Sequence, residues 1–221
     1  MRLPILLRSL GEALRGPLPG HSALRELSGY PRPPAARARK YDPVPRESAV
    51  LVLIYPKEGE LHTLLMLRPV YEGVHSGQIG FPGGKQEDGD PTLEFTALRE
   101  FAEETGSHTK EIAILGSLTP IYIPLSRAIV TPFIAYTEEL GSFDPDPNEV
   151  AELIETPLTV LLDDRILKKR RQHITILDTE MEIPYYDIFG HVVWGATAMM
   201  IAELRELFNR LRDAELRQQN P

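Results

Sequence analysis

The stretch Leu98–Gly106, LREFAEETG, decides how the rest of the chain is read. Residues on a helix advance by about 100° each. Glu100, Glu103 and Glu104 therefore form one acidic stripe, while Leu98, Phe101 and Ala102 fall towards a core. Like charges one turn apart cost a few tenths of a kcal/mol. Arg99 offsets part of that by pairing with Glu103, and a divalent cation on the stripe removes the rest. Ligands that are all oxygen favour a hard ion, Mg²⁺ or Mn²⁺, over zinc. Gly106 is placed to end the helix.

Directly upstream lies GFPGGKQEDGD, Gly80–Asp90. Pro91 suits a first helical turn and Asp90 an N-cap, so the helix is expected over about Pro91–Thr105, with Phe95 and Leu98 towards the core. An acidic stripe alone reads as a solvated helix face, and a glycine cluster alone as a turn. Side by side they suit a metal–phosphate complex, because glycines allow the close backbone approach that such a complex needs.

Runs of β type flank this unit: SAVLVLIY (48–55), LHTLLMLR (61–68), EIAILGSL (111–118) and AIVTPFIAYT (128–137). HITILDTEMEIPYYDIFGHVVWG (173–195) reads as a pair of strands. The final element, about 196–216, is an amphipathic helix with Leu204, Leu207, Phe208 and Leu211 on one face. Leu6, Leu10 and Leu14 mark a short helix near the start, with Arg8 breaking any signal-like apolar run. The Pro- and Arg-rich segment 29–47 reads as an irregular connector whose basic residues are solvated. Residues 1–47 are expected to pack as helix and connector on a catalytic domain at 48–221. The fold class is α/β (α+β), a mixed sheet with helices on both sides.

The 221 residues carry a formal net charge of −8, which argues against nucleic acid or an anionic membrane as partner. With no cysteine, disulfides, thiol nucleophiles and Cys-ligated zinc are excluded. A cytoplasmic setting is expected, and homodimerisation stays open. None of the six histidines forms a close pair, so no histidine metal site is expected; His75 alone lies near the glycine segment. Arg165 and the run Lys168–Arg171 read as solvated, or as a receiver of phosphate. Trp194 reads as core.

At these residues the sequence resembles the Nudix hydrolases, whose signature is G-x5-E-x7-R-E-U-x-E-E-x-G-U with U a bulky aliphatic. Gly84, Asp90, Arg99, Glu100, Phe101, Glu103, Glu104 and Gly106 fill it in order. Asp90 stands for Glu, eight residues rather than seven separate it from Arg99, and Ser107 replaces the last aliphatic. LLMLRPVYEGVHSGQIGFPGGK (64–85) is similar to the additional motif of the coenzyme A diphosphatase branch, through Leu64, Leu65, Arg68, Gly77, Phe81, Pro82, Gly83 and Gly84. Gly73 stands where that branch carries a second Arg.

The resemblance implies a metal-dependent hydrolase that cleaves the diphosphate bond of a nucleoside diphosphate derivative. Coenzyme A or a derivative is the leading substrate, giving 3′,5′-ADP and 4′-phosphopantetheine. ADP-ribose, NADH or a dinucleotide is the alternative that Gly73 permits, and a non-catalytic nucleotide-binding regulator is a further reading. It also implies roles. Glu100, Glu103, Glu104 and the carbonyl of Gly84 hold Mg²⁺ or Mn²⁺. Glu103, Glu100, Arg99 and Glu149 form the catalytic set, with Arg99 orienting Glu103. Arg68, Phe81, Gly83 and Gly84 contact substrate. The additional residue before Arg99 is expected ahead of the helix or in its first turn, which keeps the stripe in phase.

Overall fold

The computed structural model describes residues 3–219, with the backbone alone at His21, Gln218 and Gln219. Its architecture follows from β1 (Arg46–Lys57). Ala49, Leu51, Leu53 and Tyr55 enter one hydrophobic cluster, while Val52 and Ile54 enter another. Successive side chains of a strand point to opposite faces. A strand apolar on both sides must be covered on both sides.

The sheet built around β1 is mixed. β1 runs parallel to β7 (Ala128–Tyr136), with Arg46 opposite Ala128 and Ile54 opposite Tyr136. On its other edge β1 pairs antiparallel with β2 (Glu60–Leu67) and, nearer its start, with β4 (Gly83–Lys85). β3 (Ile79–Gly80), β5 (Ala113–Ser117), β6 (Ile121–Ile123) and β8 (Glu152–Pro157) complete eight strands, with the central order β3-β2-β1-β7-β5.

One face is covered by α4 (Leu93–Thr105), through Ala97 and Phe101 against Ala49, Leu51 and Leu53. The other is covered by α1 (Leu3–Arg15), the short α5 (Leu158–Leu161) and α6 (Gly195–Gln219), where Leu10, Leu14, Leu158, Leu161, Ile201, Leu204 and Leu207 share a cluster with Val52 and Ile54. Phe208 and Leu211 are partly buried against the same cluster. This is the expected mixed sheet between helices.

Several local expectations change. The connector contains helical turns, α2 (His21–Arg25) and α3 (Ala35–Ala38), and Leu24 and Leu27 join the main core. Buried Glu203 on α6 fastens the first part of the chain. It accepts the Gly20 N–H at 2.8 Å, the Thr119 N–H at 2.9 Å and the Thr119 hydroxyl at 2.6 Å. The basic run is strand β9 (Leu167–Ile174), which forms an antiparallel three-stranded sheet with β10 (Thr179–Ile188) and β11 (His191–Val193). The pair expected over 173–195 is thus β10 and β11, and β9, mostly upstream of it, adds a third strand. No helix among the described residues is long and apolar enough to cross a membrane.

Helix α4 begins at Leu93, not Pro91, and its N-cap is Thr92, whose side chain accepts from Phe95 N–H. Asp90 is held elsewhere, by Arg99, and cannot cap. Phe95 and Ala102 are exposed rather than core-facing; Ala97 and Phe101 make the buried seam, with Leu98 on its shoulder. The helix is continuous from Leu93 to Thr105, with no bulge between Leu98 and Glu104, so the stripe stays in phase. Gly106 ends it in the left-handed region at φ 61°, and a Cβ there would lie 2.0 Å from the Asp144 carbonyl oxygen.

Candidate active site

Strand β4 lies in the sheet with α4 packed across it, so the two halves of the signature meet in space. Gly84 sits against the carboxyl group of Glu100: a Cβ at Gly84 would stand 2.5 Å from its atoms. Glycine here is a matter of contact, since any side chain displaces the carboxylate. Glu104 is buried next to it. Its Oε2 accepts the Gly83 N–H at 2.7 Å, and its Oε1 lies 3.3 Å from Arg68 Nη2, which also donates to the Gly83 carbonyl. Burial pushes the Glu104 carboxyl up to about 7. Arg68 and the Gly83 N–H oppose the shift, and the charges of Glu100 and Glu149 add to it. Burial also raises Glu100.

The three glutamates are thus unequal. Glu104 is buried, Glu100 half-buried, and Glu103 reaches solvent. Helical phase accounts for this: Glu104 lies about 60° from Phe101 around the axis, on the shoulder of the core, whereas Glu103 lies almost opposite. Arg99 is the organiser. It grips Asp90 with two bonds, Nε to Oδ1 at 3.0 Å and Nη2 to Oδ2 at 2.8 Å. Its Nη1 meets Glu100 at 3.0 Å and Glu103 at 2.8 Å, and Nη2 donates to the Lys85 carbonyl. The Arg99 guanidinium, helped by the Glu87 N–H, holds the Asp90 carboxyl well below the usual carboxylate range. So Arg99 does pair with Glu103, but its strongest hold is on Asp90, locking the loop to the helix.

Among the described residues, no three acidic or histidine side chains are gathered closely enough to hold a metal ion as they stand. The donor set nevertheless fits a hard cation, with carboxylates at Glu100 and Glu104 beside the backbone of Gly84. Their free oxygens are turned to Arg68, Arg99 and Gly83 instead. Glu149 is an exposed loop residue, tied to this centre only through its charge on Glu104.

A cavity of about 320 Å³ opens beside the glycines. Phe81, Gly83, Gly84 and Arg68 all line it, which places the four expected substrate contacts on one wall. Arg32, Arg46, Lys85, His75 and Trp194 line it too, and no Asp or Glu does. Arg165 is solvent-exposed against Asp163, and neither it nor β9 reaches this cavity. Trp194 is half-buried, packing on the Tyr30, Ile174 and Ile183 cluster while facing the cavity. Of the histidines, His75 is the one in the cavity wall, while the His21 side chain lies outside the described residues. Burial lowers the His75 imidazole; its bond to Gln78 opposes this, and the cations Arg68 and Arg32 reinforce it.

Sequence reasoning missed Arg32, which it took as a solvated connector residue. Its Nε and Nη1 are buried and unpartnered, and its guanidinium lies 4.5 Å from the Tyr30 ring centroid. No periodicity or charge pattern in GYPRPP marks Arg32 as buried; its surroundings form only when the connector packs on the start of α6.

A NUDIX domain model matches residues 45–176. The human mitochondrial coenzyme A diphosphatase NUDT8 is 33% identical over 163 residues, 71% of this chain and 66% of that protein. The mitochondrial Nudix hydrolase 15 of Arabidopsis thaliana is 31% identical over 163 residues, 70% of this chain and 55% of that protein, so the chain spans about half of that relative. Among solved structures, the NUDIX domain of Shewanella oneidensis NrtR complexed with ADP ribose is similar at 23% identity and TM-score 0.44, covering 58% of this chain and 85% of that one. The family model spans more than half of the chain, and the signature residues it contains meet between β4 and α4: the protein belongs to the Nudix hydrolases.

Proposed function

We propose that the chain hydrolyses the diphosphate bond of coenzyme A or a close derivative. The observation that carries this reading is the cavity: in a chain of net charge −8, its lining holds Arg32, Arg46, Arg68 and Lys85 and no acid, and it abuts the Glu100–Glu104 centre. Such a wall draws in a polyanion. The similarity to a protein named as a coenzyme A diphosphatase supports the substrate. Mg²⁺ or Mn²⁺, held by Glu100, Glu104, Glu103 and the Gly84 carbonyl, would supply charge neutralisation on phosphate oxygens and a more acidic water.

The residues do the rest. Arg68 gives up part of its hold on Glu104 and turns to the diphosphate, a charge-assisted contact. Gly83 and Gly84 let the phosphate approach the backbone. Arg99 keeps Glu100 and Glu103 in place through its grip on Asp90. Glu103, the most exposed of the three, or Glu149 accepts the proton from the attacking water.

The test is a substrate comparison with Mg²⁺ or Mn²⁺: coenzyme A, ADP-ribose, NADH and dinucleoside polyphosphates. Coenzyme A is expected to give the highest kcat/KM, and Glu104→Gln to lower turnover by orders of magnitude while the fold is kept. Preference for ADP-ribose or a dinucleotide would favour the reading that Gly73 permits. Full turnover in excess chelator would overturn the metal chemistry.

A further inference from the structure

Resting on the nucleoside diphosphate reading, we propose that Arg32 forms a second anion subsite in the cavity, one that receives a phosphate monoester of the substrate distinct from the diphosphate being cleaved. Arg32 lies in the connector, ahead of the segment that the family model matches. Its guanidinium makes no hydrogen bond or ion pair among the described residues, and two of its nitrogens are buried without a partner. A guanidinium carries five donors in a planar fork. Buried arginines normally meet a carboxylate, because an unpaired buried charge is costly. Here the face of Tyr30 gives a partial substitute, and the missing partner is an anion.

The surroundings strengthen the case. The other cavity-lining charges are also positive, so nothing in that wall neutralises Arg32. Arg32 Nη2 stands 3.6 Å from where a Cβ on Gly195 would be, at the start of the 25-residue helix α6. The first turn of α6 contains no acidic residue, and Ala196 and Thr197 line the same cavity. A helix start is itself electropositive, so helix and guanidinium repel unless a negative group joins them. Burial lowers the Arg32 guanidinium from its ordinary pKa, with Tyr30 opposing the shift, the direction expected where a counter-ion is lacking, and the group stays charged.

The geometry also divides the cavity. Arg68 is bound up with Gly83 and Glu104, at the end where the diphosphate must lie for cleavage. Arg32 lies against Tyr30 and Gly195 and shares no hydrogen bond or ion pair with that centre among the described residues, although His75 feels the charge of both Arg32 and Arg68. Where a nucleoside diphosphate derivative carries a further compact dianion, as coenzyme A does and ADP-ribose does not, that group is a phosphate monoester. A planar donor fork recognises that group well.

Two measurements on the full chain test this. The first is calorimetric binding, without divalent cation, of adenosine 3′,5′-bisphosphate against adenosine 5′-monophosphate. Wild type is expected to prefer the bisphosphate at least tenfold, and Arg32→Gln to erase that preference. The second is turnover of coenzyme A against its 3′-dephospho form. In Arg32→Gln the kcat/KM ratio is expected to fall at least tenfold, chiefly through KM.

Circular dichroism and melting check the fold. If Arg32→Gln does not fold, Arg32→Lys carries the test, with a reduced preference expected; an unreduced one overturns the proposal. An unchanged bisphosphate preference in Arg32→Gln also overturns it, while coenzyme A hydrolysis stands. An equal loss on phosphorylated and dephospho substrates overturns it too, placing Arg32 on the diphosphate. If coenzyme A is not hydrolysed but the bisphosphate preference exists and depends on Arg32, the subsite stands and the substrate assignment falls.

Discussion

Glu104 is a carboxylate whose burial costs stability at the pH where the proposed metal chemistry would use its charge. Its pKa is raised from 4.5 to about 7 in the metal-free chain, with burial the main cause. The sign follows directly: a carboxyl whose folded pKa exceeds its unfolded value favours the folded state least when both are ionised. Its burden therefore grows as pH rises from 4.5 to 7 and is complete above 7. In chelator, the chain should melt higher near pH 5 than near pH 8, as far as this group governs, and Glu104→Gln should flatten that slope by an amount on the order of 3 kcal/mol. Thermal melts of both proteins at several pH values check this. Cation binding should likewise weaken as pH falls below 7, since protons compete for the same oxygens. Gly84 gives a second, sharper prediction. Gly84→Ala drives a methyl into the Glu100 carboxyl group. A displacement of about 1 Å at a reacting centre costs roughly a hundredfold in rate. Turnover should fall by about that factor with little change in melting temperature.

Helix α4 illustrates which features of an element are legible in sequence. Its stop at Gly106, its glutamates and its seat beside the glycine loop all follow from local chemistry. Its start does not, because Asp90 has two competing uses. As a cap it would satisfy a backbone N–H; as the partner of Arg99 it makes a two-pronged ionic contact, and a contact nine residues away wins. Ala102 and Phe95 were misplaced because the stripe was taken as opposite to the core, whereas Glu104 lies beside it. The basic run hid β9 because consecutive residues Lys168–Arg171 are exposed on both faces of a small sheet, so no apolar alternation marks the strand. Helix α6 depends on a different carboxylate. Glu203→Ala leaves the N–H groups of Gly20 and Thr119 without their acceptor. With about 1–3 kcal/mol for each orphaned group, the melting temperature should drop by about 5–15 °C. Gly106→Ala should destabilise through the left-handed φ by about 1–2 kcal/mol and further through the Asp144 carbonyl, measured by urea melts.

For the molecule as a whole, the segment ahead of β1 contributes to the core. Leu10, Leu14, Leu24 and Leu27 are buried with residues of β1 and α6. Each buried leucine is worth about 1.5–3 kcal/mol, so four approach the whole stability of an ordinary domain, about 5–15 kcal/mol. A chain trimmed to begin at residue 45 should therefore fail to give a cooperative melt, although the matched family segment is intact. The sequence disclosed the sheet and its two covered faces, because apolar runs of β type and amphipathic helices state them locally. It concealed the joint closure of the cavity by Arg32 and Gly195, which lie far apart along the chain and meet only after folding.

That closure separates two kinds of inheritance. On the proposed reading, the bond would be broken beside Arg68 and Glu104, whereas Tyr30, Arg32 and Trp194–Thr197, which line the same cavity, would meet the substrate's far end. Mutation can redraw those walls without disturbing the hydrolytic centre. Descendants of one ancestor can then share a reaction while diverging in diet, so a swap of segments 29–34 and 194–197 between two such proteins should carry substrate preference with it and leave the bond-breaking step where it was.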